Sequence, residues 1–266
     1  MRLLTIAAAA LVLATPAEAQ LAPPNSLGVT YAHVHLNVTD VAAHEELWSQ
    51  VFDGQIVAKG SLRTVRLPNM LVVFTQREPT GPSQGTVMDH FGFKVRDIDE
   101  ILAAWRARGL EVQSEFDGAE GFRNAYLIAP DGIRLELQED PQLPMKATGY
   151  HIHFWTPQYE ELMAWYADFF GAEISPRGSI QTTANVPGMN LSFADCRTEC
   201  VATRGRAIDH IGFEIDGLEQ YIERMQARGI DFQMGYREVP SIGLAISFFT
   251  DPSGVYVELT EGFDEY

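Results

Sequence analysis

Four of the chain's 7 histidines, His33, His90, His151 and His210, open short alternating segments at matched intervals. His33 and His90 lie 57 positions apart, and His151 and His210 lie 59 apart. Glu136 follows His90 by 46 positions, and Glu258 follows His210 by 48. Imidazole and carboxylate together bind iron(II), zinc, manganese or nickel, and two His plus one carboxylate leave coordination positions open for a substrate. A single His in a strand is ordinarily a hydrogen-bonded structural residue. Recurrence in register with a Glu sets these apart.

The elements that must position them are legible. Asp209-His210-Ile211-Gly212-Phe213 and Asp89-His90-Phe91-Gly92-Phe93 are near-identical alternating strands. Alternation places His210, Gly212 and Glu214 on one face and Ile211, Phe213 and Ile215 on the other. The same parity sets Glu258 against Val257 and Leu259, and Glu136 against Leu135 and Leu137. If the apolar side packs beneath a helix, the ligand candidates face a concave side. His35 and His153 share that face two residues on, as hydrogen-bonding neighbours or as a general acid/base. Lys94, Arg134 and Glu214 share it as polar substrate contacts, and Trp155 and Phe248 as pocket aromatics. His44, on the first helix, reads as a surface residue.

Each strand is followed by a helix. One runs from Leu218 to a Gly229 stop, and another from Tyr159 to Phe170, stopped by Gly171. Three further strands complete each unit, with Pro130-Asp131-Gly132 and Pro252-Ser253-Gly254 as hairpin turns. The order βαβββ occurs four times, in modules 27–80, 85–140, 147–200 and 205–262. Pro141-Gln142-Leu143-Pro144 reads as the boundary between domains 27–141 and 147–262. A module of one helix and a few strands buries its apolar face only by pairing. The expected class is α+β, with modules paired within each half into a cup of curved mixed sheet and helices outside.

Residues 1–19 carry Arg2, an apolar run and a small-residue ending at Ala19. This reads as a secretory signal peptide cut after Ala19, giving a periplasmic or secreted protein. No later run is long enough to span a membrane. The net charge of −17 repels phosphate backbones, so nucleic acid is excluded as a partner. Cys196 and Cys200 read first as a local disulfide in an oxidising compartment, with a metal pair as the rival.

Four modules with His-initiated first strands and last strands of the form Pro-x-Gly-x-x-x-Glu-Leu resemble the glyoxalase/bleomycin-resistance/dioxygenase family, the vicinal oxygen chelate superfamily. The resemblance covers essentially the whole mature chain. It implies two glyoxalase-like domains, each holding a divalent metal (Fe2+, Zn2+, Mn2+ or Ni2+) between paired modules. Carried onto this chain, the first half supplies His33, His90 and Glu136, and the second His151, His210 and Glu258. The last strands of modules one and three, Leu71–Thr75 and Asn190–Ala194, lack the second Glu of glyoxalases. The second half is slightly preferred as the active one. The implied function is a metal-dependent enzyme, glyoxalase- or dioxygenase-like, acting on a small molecule chelated through vicinal oxygens. Glu258, Glu136, His35 and His153 are the catalytic candidates, in a monomer or homodimer. The alternative is a binding protein of the bleomycin-resistance type. Ring cleavage in this family implies a His ahead of a Tyr before the Pro-x-Gly segment, and neither half has that pair.

Overall fold

The computed structural model describes residues 21–196 and 199–266, so residues 1–19, expected to be a signal peptide, lie outside the described residues. The chain runs β1 (Val29–Val38), α1 (Val41–Phe52), β2 (Gln55–Lys59), β3 (Leu62–Leu67), β4 (Met70–Gln76), then β5 (Met88–Val95), α2 (Ile98–Ala107), β6 (Glu111–Asp117), β7 (Arg123–Ala129), β8 (Ile133–Glu139). The second half repeats this as β9 (Ala147–Trp155), α3 (Tyr159–Phe170), β10 (Glu173–Ile174), β11 (Thr183–Val186), β12 (Met189–Ala194), then β13 (Ile208–Ile215), α4 (Leu218–Ala227), β14 (Phe232–Val239), β15 (Leu244–Thr250), β16 (Tyr256–Glu261). The expected βαβββ order is present in all four modules.

Local chemistry explains the element ends. Asp40 and Asp97, each seven residues after its module's His, cap α1 and α2 by accepting from the amides of Ala43 and Glu100. Gly171 ends α3 in the left-handed conformation at φ 64°. Asp131, also left-handed, turns β7 into β8 and holds Thr39 through its carboxylate.

The sheets do not follow the halves of the sequence. One eight-stranded sheet has the order β14-β15-β16-β13-β1-β4-β3-β2, and the other β10-β11-β12-β9-β5-β8-β7-β6. Module one is therefore joined to module four, and module two to module three, through antiparallel first strands: β1 with β13 and β5 with β9. The expected pairing within each half is corrected. The reason lies in the connectors. Residues 140–146 form a turn bonded to the end of β5, with Asp140 N donating to Val95 O at 2.8 Å and Arg96 N to Lys146 O at 3.0 Å. The turn sets β9 down directly beside β5. Pro141–Pro144, expected to separate two domains, thus lies inside one sheet.

Apolar parity behaves as expected. Ile211, Phe213 and Ile215, with Phe91, Phe93 and Val95, are fully or almost fully buried in one continuous core on the convex faces. The helices pack there. Phe52 of α1 stacks on Phe93 of β5, and Phe170 of α3 on Phe213 of β13, with ring centroids 4.9 and 4.3 Å apart. The helices thus lie outside the cups, and each of these contacts joins a helix of one sheet's modules to a strand of the other sheet.

Candidate metal centres

Because first strands pair across the chain, each site draws on partners the half-by-half reading kept apart. The first cup contains His33 from β1, His210 from β13 and Glu258 from β16. Glu258 Oε2 lies 3.0 Å from His210 Nε2 and 2.9 Å from His33 Nε2. The second contains His90 from β5, Glu136 from β8 and His151 from β9. Glu136 Oε2 lies 3.0 Å from His90 Nε2 and 3.1 Å from His151 Nε2. All six metal candidates are buried. The triads His33–His90–Glu136 and His151–His210–Glu258 are thus corrected to His33–His210–Glu258 and His90–His151–Glu136. Choosing between halves loses its meaning, because each cup takes residues from both.

Two glycines make room for the crossing histidines. A Cβ on Gly212 would stand 1.9 Å from Cε1 of His33, and one on Gly92 would stand 2.1 Å from Cε1 of His151. In register Gly212 pairs with His33, and Gly92 with His151. The Gly of each Asp-His-x-Gly-Phe motif is therefore a cradle for the first-strand His of the paired module. The motif itself was plain in the sequence, but its reason lay in a strand more than 50 positions away.

His210 and His90, the histidines of the Asp-His-x-Gly-Phe strands, are held from behind. Asp209 Oδ1 lies 2.7 Å from Nδ1 of His210, and Asp89 Oδ1 lies 2.8 Å from Nδ1 of His90. Asp209 is itself held by Asn37 and the Gly205 amide, and Asp89 by Arg134 and the Gly85 amide. A carboxylate on the far nitrogen of an imidazole fixes its tautomer and aims the near nitrogen, as in metal-ligating histidines. Burial works against a charged His210, but its bonds to Asp209 and Glu258 outweigh that and raise its pKa to about 9. Burial would likewise raise the Glu258 carboxyl, but the hydrogen bond to His210 and the contact with His33 hold it well below the carboxylate range. His90 and Glu136 shift in the same directions for the same reasons. Burial lowers His33 and His151.

The donor sets fit a divalent ion. Ligand atoms about 2.1 Å from one ion and at right angles stand about 3 Å apart, close to the separations seen here. Potential ligand atoms of His33, His35, His210 and Glu258 all lie within 4.8 Å of one another; in the second cup the group that close is His90, Glu136 and His153, and His151 stands outside it, joined through Glu136 Oε2 at 3.1 Å. Neither ring nitrogen of His33 is aligned for a hydrogen bond, although the ring is wholly buried. The Nε2 of His33 is left with a misaligned contact to the Glu258 carboxylate at 2.9 Å, a poor partner for a buried nitrogen that a metal bond would replace.

The flanking residues divide. His35 Nε2 bonds Thr75 Oγ1 at 2.7 Å, and its ring lies 4.4 Å from that of His210. His153 stacks on Trp155 at 4.6 Å and lies 5.1 Å from the His90 ring. Burial lowers the pKa of both, and both have an Nδ1 without a partner. Trp155 and Phe248 belong to different cups: Phe248 faces His210 at 5.4 Å. Arg134 lies over Tyr126, and Lys94 over Tyr150. His44 is corrected from surface to interior: it is buried with Nε2 3.1 Å from Asp131 Oδ2. Cys196 and Cys200 form a disulfide with Cα atoms 6.3 Å apart, as first read. Among residues not singled out beforehand, Asn124 donates to Glu136 Oε1 at 2.7 Å. Its signal was a polar residue at concave parity two positions before Tyr126.

The family model for the Glyoxalase/Bleomycin resistance protein/Dioxygenase superfamily matches residues 30–137 and again residues 150–259. No curated protein matches the chain. Among solved structures, glyoxalase I from Zea mays is similar with a TM-score of 0.68 at 15% identity, over 89% of this chain and 94% of that one. A single-residue variant of that enzyme gives 0.69 at 14%, over 90% and 95%. A dioxygenase-like protein from Bacillus subtilis gives 0.68 at 12%, over 92% and 88%. At these identities the structural likeness is one of fold. Matched twice over most of its length, the chain belongs to the glyoxalase/bleomycin resistance protein/dioxygenase superfamily.

Proposed function

We propose that the protein is an exported, metal-dependent enzyme of this superfamily that acts on a small molecule chelated through vicinal oxygens. The observation that carries the reading is the repeated site: two His and one Glu, one His held by an Asp and the other cradled by a Gly. His33, His210 and Glu258 would hold one ion, and His90, His151 and Glu136 the other. A bound divalent ion supplies Lewis acidity and open positions for two substrate oxygens. The chain's own residues do the rest. Glu258 and Glu136, ionised by their histidine neighbours, accept protons within the cups. His35 and His153, kept neutral by burial, offer their unpartnered Nδ1 atoms as further proton acceptors.

The second cup is the better candidate for turnover. In the first, Phe263 from the C-terminal segment packs on His33 with centroids 5.0 Å apart, beside buried Tyr266. That occupancy favours a binding or structural role for the first cup. Elemental analysis of protein recovered from the export compartment tests the proposal, alongside N-terminal sequencing of the mature chain. The expected result is bound divalent metal that falls with His90→Ala, on a chain starting near Gln20. Protein free of stoichiometric metal after reconstitution with iron, manganese, zinc and nickel refutes the enzyme reading.

A further inference from the structure

Strand register allows the two cups to be compared position by position. Beside His33 and His35 stand Leu71 and Val73, where the second cup places Asn190 and Ser192 beside His151 and His153. Ile246 pairs with Thr260 where Asn124 pairs with Gln138. The residue skipped in the register before the first-strand His is Ala32 in one cup and Tyr150 in the other. The first cup is thus apolar, and Phe263 and Tyr266 cluster with its lining. The second is polar, and the chain fills it with a carboxylate.

That carboxylate is Glu120, on the loop between β6 and β7. It accepts hydrogen bonds from the Tyr150 hydroxyl and from Gln138 Nε2. Arg177, buried opposite, is left undersatisfied. Its Nη2 donates to Ser192 Oγ at 3.2 Å, its Nη1 stands 4.0 Å from Glu120 Oε1, and its Nε has no partner. A separation of 4.0 Å is too long for a hydrogen bond. A buried guanidinium is normally matched by a bidentate oxyanion, and here that partner stands off. Glu120 reaches solvent, with its side chain 17% exposed, while the backbone of its loop is tied to the Arg177 turn by Ser179 N donating to Ala119 O at 2.9 Å, so only the side chain need swing out.

We propose that Arg177, Tyr150 and Gln138 form an oxyanion subsite beside the His90–His151–Glu136 centre, that Glu120 occupies it in the absence of ligand, and that a carboxylate of the substrate displaces Glu120 and engages Arg177. The inference rests on the second cup being the ligand-taking one, and it narrows the substrate class to small carboxylic acids. Calorimetry on the full mature chain, with succinate and inorganic phosphate as probes, tests it. Wild type, Arg177→Met, Arg177→Lys and Glu120→Gln are compared, each chelator-treated and each Mn2+-supplemented.

The expected result is succinate affinity raised about tenfold or more by Glu120→Gln, lost in Arg177→Met and partly kept in Arg177→Lys, with Mn2+ uptake unchanged throughout. Succinate affinity unaltered by Arg177→Met, or lowered by Glu120→Gln, overturns the subsite. If Arg177→Met fails to fold, the other two variants decide. Phosphate binding more tightly than succinate overturns the carboxylate assignment. Arg177-dependent succinate binding in protein that takes up no Mn2+ would sink the metal reading and leave the subsite standing.

Discussion

Gly212→Ala tests the cross-chain pairing and the site together. The new methyl carbon would stand 1.9 Å from Cε1 and 2.3 Å from Nδ1 of His33, far inside van der Waals contact. His33 has nowhere to go: it is fully buried, with Phe263 against its ring and Glu258 at its Nε2. Overpacking of this kind costs about 1–3 kcal/mol. For a chain of this size that lowers Tm by about 2–4 °C per kcal/mol. The displaced imidazole also leaves the donor set, so the variant should lose metal from the first cup and keep the second loaded. Gly92→Ala should do the reverse through His151. Gly235→Ala is the control, since a Cβ there meets nothing within 4 Å. The assays are thermal denaturation and metal stoichiometry by elemental analysis. Unchanged stability and stoichiometry in both variants would refute the cradle, because at no other glycine would a Cβ meet a candidate ligand.

Three further outcomes are expected. Asp209→Asn should weaken metal binding in the first cup by about 10–100-fold, since it blurs the tautomer and aim of His210, measured by competition with a chromogenic chelator; unaltered affinity would remove Asp209 from the site. Burial pushes Glu214 up to about 7 from an ordinary 4.5, despite its bonds to Thr260 and the amides of Gly262 and Phe263. A raised folded pKa means that this contribution is complete below pH 4.5 and is lost as pH rises through 7, on the order of 3 kcal/mol at most. Urea titrations at pH 5 and pH 8 should therefore show Glu214→Gln gaining on wild type at the higher pH; a constant difference contradicts the shift. Phe263→Ala should uncover the apolar lining of the first cup and raise binding of an apolar fluorescent dye, with Phe122→Ala, an exposed position, as the reference.

Much of this protein is local and therefore written in its sequence. Strand parity placed His210 and Glu258 on the face opposite Ile211 and Leu259, because side chains alternate whatever the strand pairs with. Helix ends were legible at Gly171 because a left-handed residue ends a helix by its own backbone preference. All six metal candidates were identifiable from their repeat-equivalent positions. Their grouping was not, because alternation says which way a side chain points and nothing about which strand lies beside it. The turn at residues 140–146 and the pairing of β1 with β13 decided that, putting His33 with His210 and His90 with His151. His44 read as exposed because its partner, Asp131, lies 87 positions away. Arg177 and Glu120 carried no periodic signal at all, since loop residues acquire meaning only from what the folded chain sets opposite them. The sequence by itself determined the modules, the faces and the candidate ligands; tertiary structure alone decided which modules share a cup, because strand pairing is a non-local contact and side-chain alternation is not.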